Sequence, residues 1–256
     1  MKATVPAGRV GDHEIEHFEV SETQAMIHNL RHRNDGRGIE AGTYTRLVRY
    51  TEPQAYPLDE GKFDNGKGRA VVVMSDTPAE LRDHLEPVRH AKGNVLINGL
   101  GLGCVLQGCM AKPEVEHVTV VDISEEVIAL SHDYFKELYG DRLDIVQASA
   151  FEYKAPVGSR FGMVWHDIWD YIGDENLPEM YRLHRKYGSR CDWQGSWVRD
   201  QCEKLRDNSS SLLGMFGFPS DLEKIAGKLM EDMGIHETAS TVNHWLFEAG
   251  IPMEER

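Results

Sequence analysis

Cysteine is scarce in this 256-residue chain, and its four copies, Cys104, Cys109, Cys191 and Cys202, form no C-x-x-C pair. That spacing argues against a zinc site or a disulfide framework and suits a reducing compartment. Long apolar runs are missing too. Nothing approaches the roughly 18 consecutive residues a membrane span needs, and the opening MKATVPAGRV carries no apolar signal region. A cytoplasmic protein without a membrane partner is expected. Positive charge is in deficit, with 28 Lys and Arg against 42 Asp and Glu for a net charge of −14. Phosphate backbones are bound by cations that displace counterions, so a nucleic-acid partner is not expected. The best basic cluster, Arg31, His32, Arg33 and Arg37, reads as a solvated face. Two histidine pairs, His13/His17 and His28/His32, have i, i+4 spacing. No acid or thiol set of ligand spacing accompanies them, so no metal is expected.

What is present suffices for a full core. Charged residues make up 27% and hydrophobic ones 41%, and the length suits one large domain or a main domain with an appendage. Residues 1–75 read as a β-rich segment, with strands at His13–Val20, Thr43–Tyr50 and Arg69–Met74. One helix near 21–33 is opened by Ser21. Thr77, Pro78 and Glu80 then form a capping-box pattern ahead of Leu81, Leu85 and Val88.

The most informative stretch is NVLINGLGLGCVLQGCMAKPEVEHVTVVD, from Asn94 to Asp122. A buried apolar run ends in glycines at alternate positions, Gly99, Gly101 and Gly103, and a second run closes on Asp122. This is the order of a nucleotide-binding βαβ unit, with glycines for a tight turn and an acid for ribose hydroxyls. The dinucleotide fingerprint G-x-G-x-x-G needs a glycine where Cys104 stands. The G-x-G-x-G spacing fits instead, and it is typical of class I S-adenosylmethionine (SAM) enzymes. A helix follows from Ser124 to about Tyr139, with Val127, Leu130, Tyr134 and Leu138 at helical spacing. Strands are predicted at Leu143–Gln147 and Phe161–Trp165. Alternating strands and helices imply an α/β fold, a Rossmann-like, doubly wound parallel sheet, with ligands at the carboxyl ends of its strands. The glycines, Asp122, Ser149 and Asp167 would gather there.

Past Asp170 the pattern degrades, since 172–205 holds no clean apolar run. It reads as a helix over Asn176–Tyr187 and a polar segment containing Trp193 and Trp197. A helix near Ser220–Met233 and an apolar segment Val242–Ala249 follow. The expected division is a β-rich segment at 1–75, a SAM-binding domain at 76–205 and a mostly helical segment at 206–256.

From about Val71 to Asp170 the chain resembles the spermidine-synthase-like branch of class I SAM-dependent transferases. The likeness is carried by VTVVDISEEVIALSHDYFKELYG, by Ala148-Ser149-Ala150-Phe151 after the third strand, and by Asp167-Ile168-Trp169-Asp170 after the fourth. MSDTPAELRDH, LINGLGLG, WHDIW and NLPEMYRLHRKYG are also similar to methyltransferase-like proteins of actinobacterial phages. The resemblance implies that Gly99, Gly101 and Gly103 line methionine and ribose, Asp122 holds the ribose hydroxyls and Ile123 lies against adenine. Ser149 and Ala150 take the adenine edge, where Ser149 replaces the family's acid. Asp167 takes the reaction centre as base, with Asp170 as a second anchor for a cationic acceptor. His166 is an alternative base, because imidazole titrates near neutrality. Trp165, Trp169 and Tyr171 could wall a planar or cationic acceptor. In the family's diamine pocket His84 survives, but Asp83 replaces a Tyr and Met74 a Gln.

Neither an Asn/Asp-Pro-Pro-aromatic signature nor a Pro-Cys nucleophile occurs, which speaks against DNA methylation. The expectation is a SAM-dependent methyltransferase acting on a small molecule or protein side chain, with a homo-oligomer among the assemblies open to it. The alternatives are an aminopropyltransferase using decarboxylated SAM, a non-catalytic SAM-binding scaffold and a nicotinamide enzyme, against which Cys104 in the fingerprint weighs.

Overall fold

The structure, a computed structural model, describes residues 2–33, 36–50, 62–64 and 69–215. The helix and apolar segment expected beyond 220 lie outside the described residues. Two compact units are present, one made of 1–170 with 180–197 and one of 171–179 with the described residues from 198 on.

The first unit holds two sheets. The antiparallel one contains β1 (Gly8–Val10), β2 (His13–Val20), β3 (Gly42–Tyr50), β4 (Lys62–Asp64) and β5 (Arg69–Ser75) in the order β1-β2-β3-β5-β4. Between β2 and β3 runs α1 (Glu22–Arg31), opened by a capping box between Ser21 and Gln24. Two short helices follow β5, α2 (Pro78–Asp83) and α3 (Leu85–His90). The capping box expected at Thr77 does not form. The Glu80 carboxylate reaches past Thr77 and accepts from the backbone N–H and the hydroxyl of Ser75, at 2.6 and 2.9 Å.

The parallel sheet contains β6 (Gly93–Asn98), β7 (Val115–Asp122), β8 (Leu143–Gln147), β9 (Phe161–His166) and β10 (Cys191–Ser196), in the order β10-β9-β6-β7-β8. Its helices are α4 (Cys104–Met110), α5 (Glu125–Tyr139) and α6 (Leu177–Tyr187). Right-handed crossovers put α4 and α5 on one face. The chain then returns to the other side of β6, and the same handedness sends α6 to the opposite face. The fold is a Rossmann-like, doubly wound α/β fold. Its strand order reverses between β6 and β9, the point at which such sheets open a crevice.

Two expectations need correction. A fifth parallel strand, β10, occupies a region where no strand is predicted. Its sequence CDWQGS is polar because it is an edge strand, paired only with β9, and needs no continuous apolar run. On α5 the buried positions are Val127, Ser131 and Phe135, whereas Leu138 is 52% exposed. The small Ser131 lets the helix approach the sheet, and its hydroxyl donates to the Val127 carbonyl at 3.2 Å.

One core joins both sheets: Ile15 and Leu47 pack in the same cluster as Val95, Ile97, Val120 and Trp165. In the second unit a 3-10 turn (Asp174–Asn176) and α7 (Arg199–Met215) are present. There Val198, a non-glycine residue at φ +46°, offers its carbonyl to the N–H groups of Gln201 and Cys202.

Candidate functional site

Register places the sequence-predicted residues together. Asn98 pairs with Val121 and His166, and Asp122 with Gln147. Gly99, Ile123, Ala148 and Asp167 therefore all lie one residue past a strand end, along one edge of the sheet.

The glycine loop is demanded by the protein's own packing. Gly99, at φ +102°, faces the Asp167 backbone so closely that a Cβ would stand 1.8 Å from its carbonyl oxygen. Asp167 in turn donates its N–H to the Asn98 carbonyl at 2.8 Å, which pins the ends of β6 and β9 together. A Cβ on Gly101 would meet the Met74 sulfur at 2.2 Å, and one on Gly103 the Phe135 ring at 2.3 Å. Met74 Sδ also accepts the Leu102 N–H at 3.0 Å.

Asp122 ties the loop to β7. One carboxylate oxygen accepts from Leu100 N–H at 2.7 Å and the other from Ser124 N–H at 2.8 Å. Burial nevertheless pushes its pKa above the ordinary carboxylate value, outweighing those bonds. An under-solvated carboxylate with spare lone pairs favours further donors, such as a ribose diol. Beside it Ile123 is 73% exposed, an apolar side chain held open to solvent next to an acid. Ser149 sits past β8, its Oγ accepting the Phe151 N–H at 3.3 Å, and Ala150 beside it is buried. Asp122, Ile123, Ser149 and Ala150 thus stand together at or past the ends of β7 and β8.

At the switch point Asp167 is not alone. His84, only 2% exposed, donates from Nε2 to Asp167 Oδ2 at 3.0 Å. Burial alone would lower the His84 pKa, but the hydrogen bond and charge of Asp167, with Glu80 and Asp83 nearby, raise it on balance. Among the described residues His84 Nδ1 has no hydrogen-bond partner. Asp170 pairs with Arg49 of β3, Oδ2 to Nη2, at 3.0 Å.

His166 is corrected as a base. It is fully buried at the end of β9, and its Nδ1 accepts from Asn98 Nδ2 at 2.8 Å. Burial, with His184 beside it, pushes its pKa down to about 3, so it stays neutral and takes no proton near neutral pH. The aromatic wall is also corrected. Trp165 and Trp169 are buried, Trp165 stacking on Trp193 at 6.3 Å, while Tyr171 belongs to the second unit. Of the histidine pairs, His13 and His17 lie on a strand, which spaces them by about 13 Å, and His28 stacks on His32 at 4.3 Å. The Cys104 and Cys109 thiols are pushed up to about 12 by burial and are inert.

No protein-family model and no curated protein matches the chain. Among solved structures it is similar to spermidine synthase from Thermotoga maritima, at 18% identity and TM-score 0.35 over 70% of this chain and 52% of that one. It is also similar to a dimethyladenosine transferase from Plasmodium falciparum, at 17% identity and TM-score 0.32 over 41% and 36%. The YcgJ protein from Bacillus subtilis gives 19% identity and TM-score 0.28 over 33% and 36%. The chain thus spans between 36% and 52% of the length of these three proteins. At these scores the likenesses identify no family and no activity, and none bears on the phage resemblance.

Sequence reasoning missed Asn98 and Arg49 as members of the site. Asn98 directly ends the apolar run Val95-Leu96-Ile97 of β6, and a polar amide closing such a run was the available signal. Arg49 carried none, because it comes from the other sheet. A cavity of about 500 Å³ lies elsewhere, among α1, β2, β3 and β5, lined by residues such as Phe18, His28, Arg46 and Glu80.

Among the described residues no helix is long and apolar enough to cross a membrane.

Proposed function

We propose that the protein is a SAM-dependent methyltransferase acting on a small molecule or protein side chain. The observation that carries this reading is the convergence of the glycine loop, Asp122 with the exposed Ile123, and Asp167 at the reversal of strand order. When bound, SAM supplies an electrophilic methyl group on a sulfonium. The chain's own residues do the rest. Asp122 holds ribose hydroxyls, Ile123 covers an adenine face, and the loop from Gly99 to Gly103 lines methionine and ribose. His84 fixes one Asp167 oxygen, leaving Oδ1 as the oxygen that takes the proton lost by the acceptor. The acidic charge of the chain favours such acceptors over nucleic acid.

Thermal unfolding with SAM, S-adenosylhomocysteine, decarboxylated SAM and NAD tests the proposal. A ligand at 100 times its dissociation constant adds about 2.7 kcal/mol, a rise of several degrees in midpoint for a chain this long. Stabilisation by SAM and S-adenosylhomocysteine is expected. A preference for decarboxylated SAM would indicate aminopropyl transfer, and a response to NAD alone would sink the SAM reading. If SAM and S-adenosylhomocysteine bind but no acceptor pool yields product, the protein is a SAM-binding scaffold.

A further inference from the structure

We infer that the acceptor enters the site as an uncharged nucleophile, because both carboxylates after β9 are already bonded to basic side chains from the N-terminal half of the chain. The inference rests on the proposed transferase reading and names the acceptor class for that site. Asp167 is bonded to His84 and Asp170 to Arg49, each at 3.0 Å.

A cationic acceptor, a diamine above all, needs carboxylates or aromatic faces to replace its lost hydration. Among the described residues at this edge of the sheet, Asp122, Asp167 and Asp170 each already hold a partner. A cation approaching Asp170 meets the Arg49 guanidinium at the same carboxylate. One approaching Asp167 meets a carboxylate backed by a buried imidazole whose protonated form is favoured by Asp167, Glu80 and Asp83. Trp165 and Trp169 are buried and offer no ring face. Asp122 already holds two backbone N–H groups and faces the ribose position. The overall charge of −14 draws cations to the molecule, but that attraction is screened beyond about 8 Å at physiological salt and cannot replace a local partner. An acceptor with a hydroxyl, a thiol or an unprotonated nitrogen carries no charge to compensate, and Asp167 Oδ1 remains for its proton.

The prediction is testable without knowing the acceptor. The full chain, saturated with S-adenosylhomocysteine, is titrated calorimetrically with 1,4-diaminobutane at physiological ionic strength. Wild type should bind it weakly, and Arg49→Gln should bind it roughly fivefold more tightly, equivalent to about 1 kcal/mol for a partly exposed charge. Asp170→Asn, which leaves Arg49 without its carboxylate, should instead gain affinity for succinate and none for the diamine. Equal diamine affinities in wild type and Arg49→Gln overturn the inference. So does tight diamine binding by wild type that Asp170→Asn abolishes, since Asp170 would then be a cation anchor. Circular dichroism and the unfolding midpoint confirm that each variant is folded. Failure of S-adenosylhomocysteine to bind wild type refutes the transferase reading itself. The diamine and succinate titrations, repeated without it, still show whether Arg49 neutralises Asp170.

Discussion

Gly99 carries two constraints at once, a positive φ and a backbone neighbour that cannot move away. Alanine there would place Cβ 1.8 Å from the Asp167 carbonyl oxygen, whereas at Gly158, with φ +84°, a Cβ meets nothing within 4 Å. Gly99→Ala should cost more than about 3 kcal/mol, and Gly158→Ala about 1–2 kcal/mol from backbone strain alone. Urea midpoints measure the difference, and similar losses would mean that β6 and β9 are not held as described. Ile123 poses the converse case. As a 73% exposed side chain it contributes little to the fold, so Ile123→Ser should change stability by no more than about 0.5 kcal/mol. If it covers adenine, the same change should weaken S-adenosylhomocysteine binding about tenfold. Unchanged affinity would remove Ile123 from the site. Gly99 was legible in the sequence, since alternate glycines after an apolar run are a local pattern, whereas Ile123 entered only through the family resemblance. What made Gly99 obligatory, the Asp167 carbonyl, is 68 residues away and was not.

At the level of elements, β9 and the α2–α3 break carry opposite pH dependences. His166 is held neutral in the fold with its pKa at about 3, so the unfolded chain binds a proton that the native state refuses. Stability should fall as pH drops from about 6.5 towards 3, with a slope of up to about 1.4 kcal/mol per pH unit from this residue. His84 has a raised pKa. Its contribution is complete below its unfolded value and is lost as pH rises through the folded one. Urea midpoints from about pH 4 to 8 should show a shallower acid limb in His166→Gln. His84→Asn should instead lose less stability on the alkaline side. An unchanged acid limb in His166→Gln would show that this histidine is protonated in the native state. The sequence revealed β9 as an apolar run and His166 as an imidazole of ordinary pKa. Its neutrality comes from β6 and α6, which close over it. The polar β10 and the true inner face of α5 were misread for a related reason. An edge strand needs no apolar run, and the side of a helix that faces inward depends on where a small residue such as Ser131 lets it approach.

For the molecule as a whole, the two sheets of the first unit share one core, and that sharing brings Arg49 and His84 to the ends of β9. The β-rich segment therefore supplies charge to the candidate site as well as apolar surface to the core. Sequence alone determined the α/β class, the parallel sheet from β6 to β9, the glycine loop and the acid at the end of β7. Those features follow from hydrophobic period, from the backbone freedom of glycine and from the turn a strand must make to enter a helix, all properties of neighbours in the chain. Tertiary structure alone decided which partners the carboxylates of the site hold. Whether Asp167 and Asp170 stand as bare carboxylates or as carboxylates bonded to basic side chains depends on partners 83 and 121 residues away. Coulomb energy varies with distance in space and with burial, and neither is written in the order of residues.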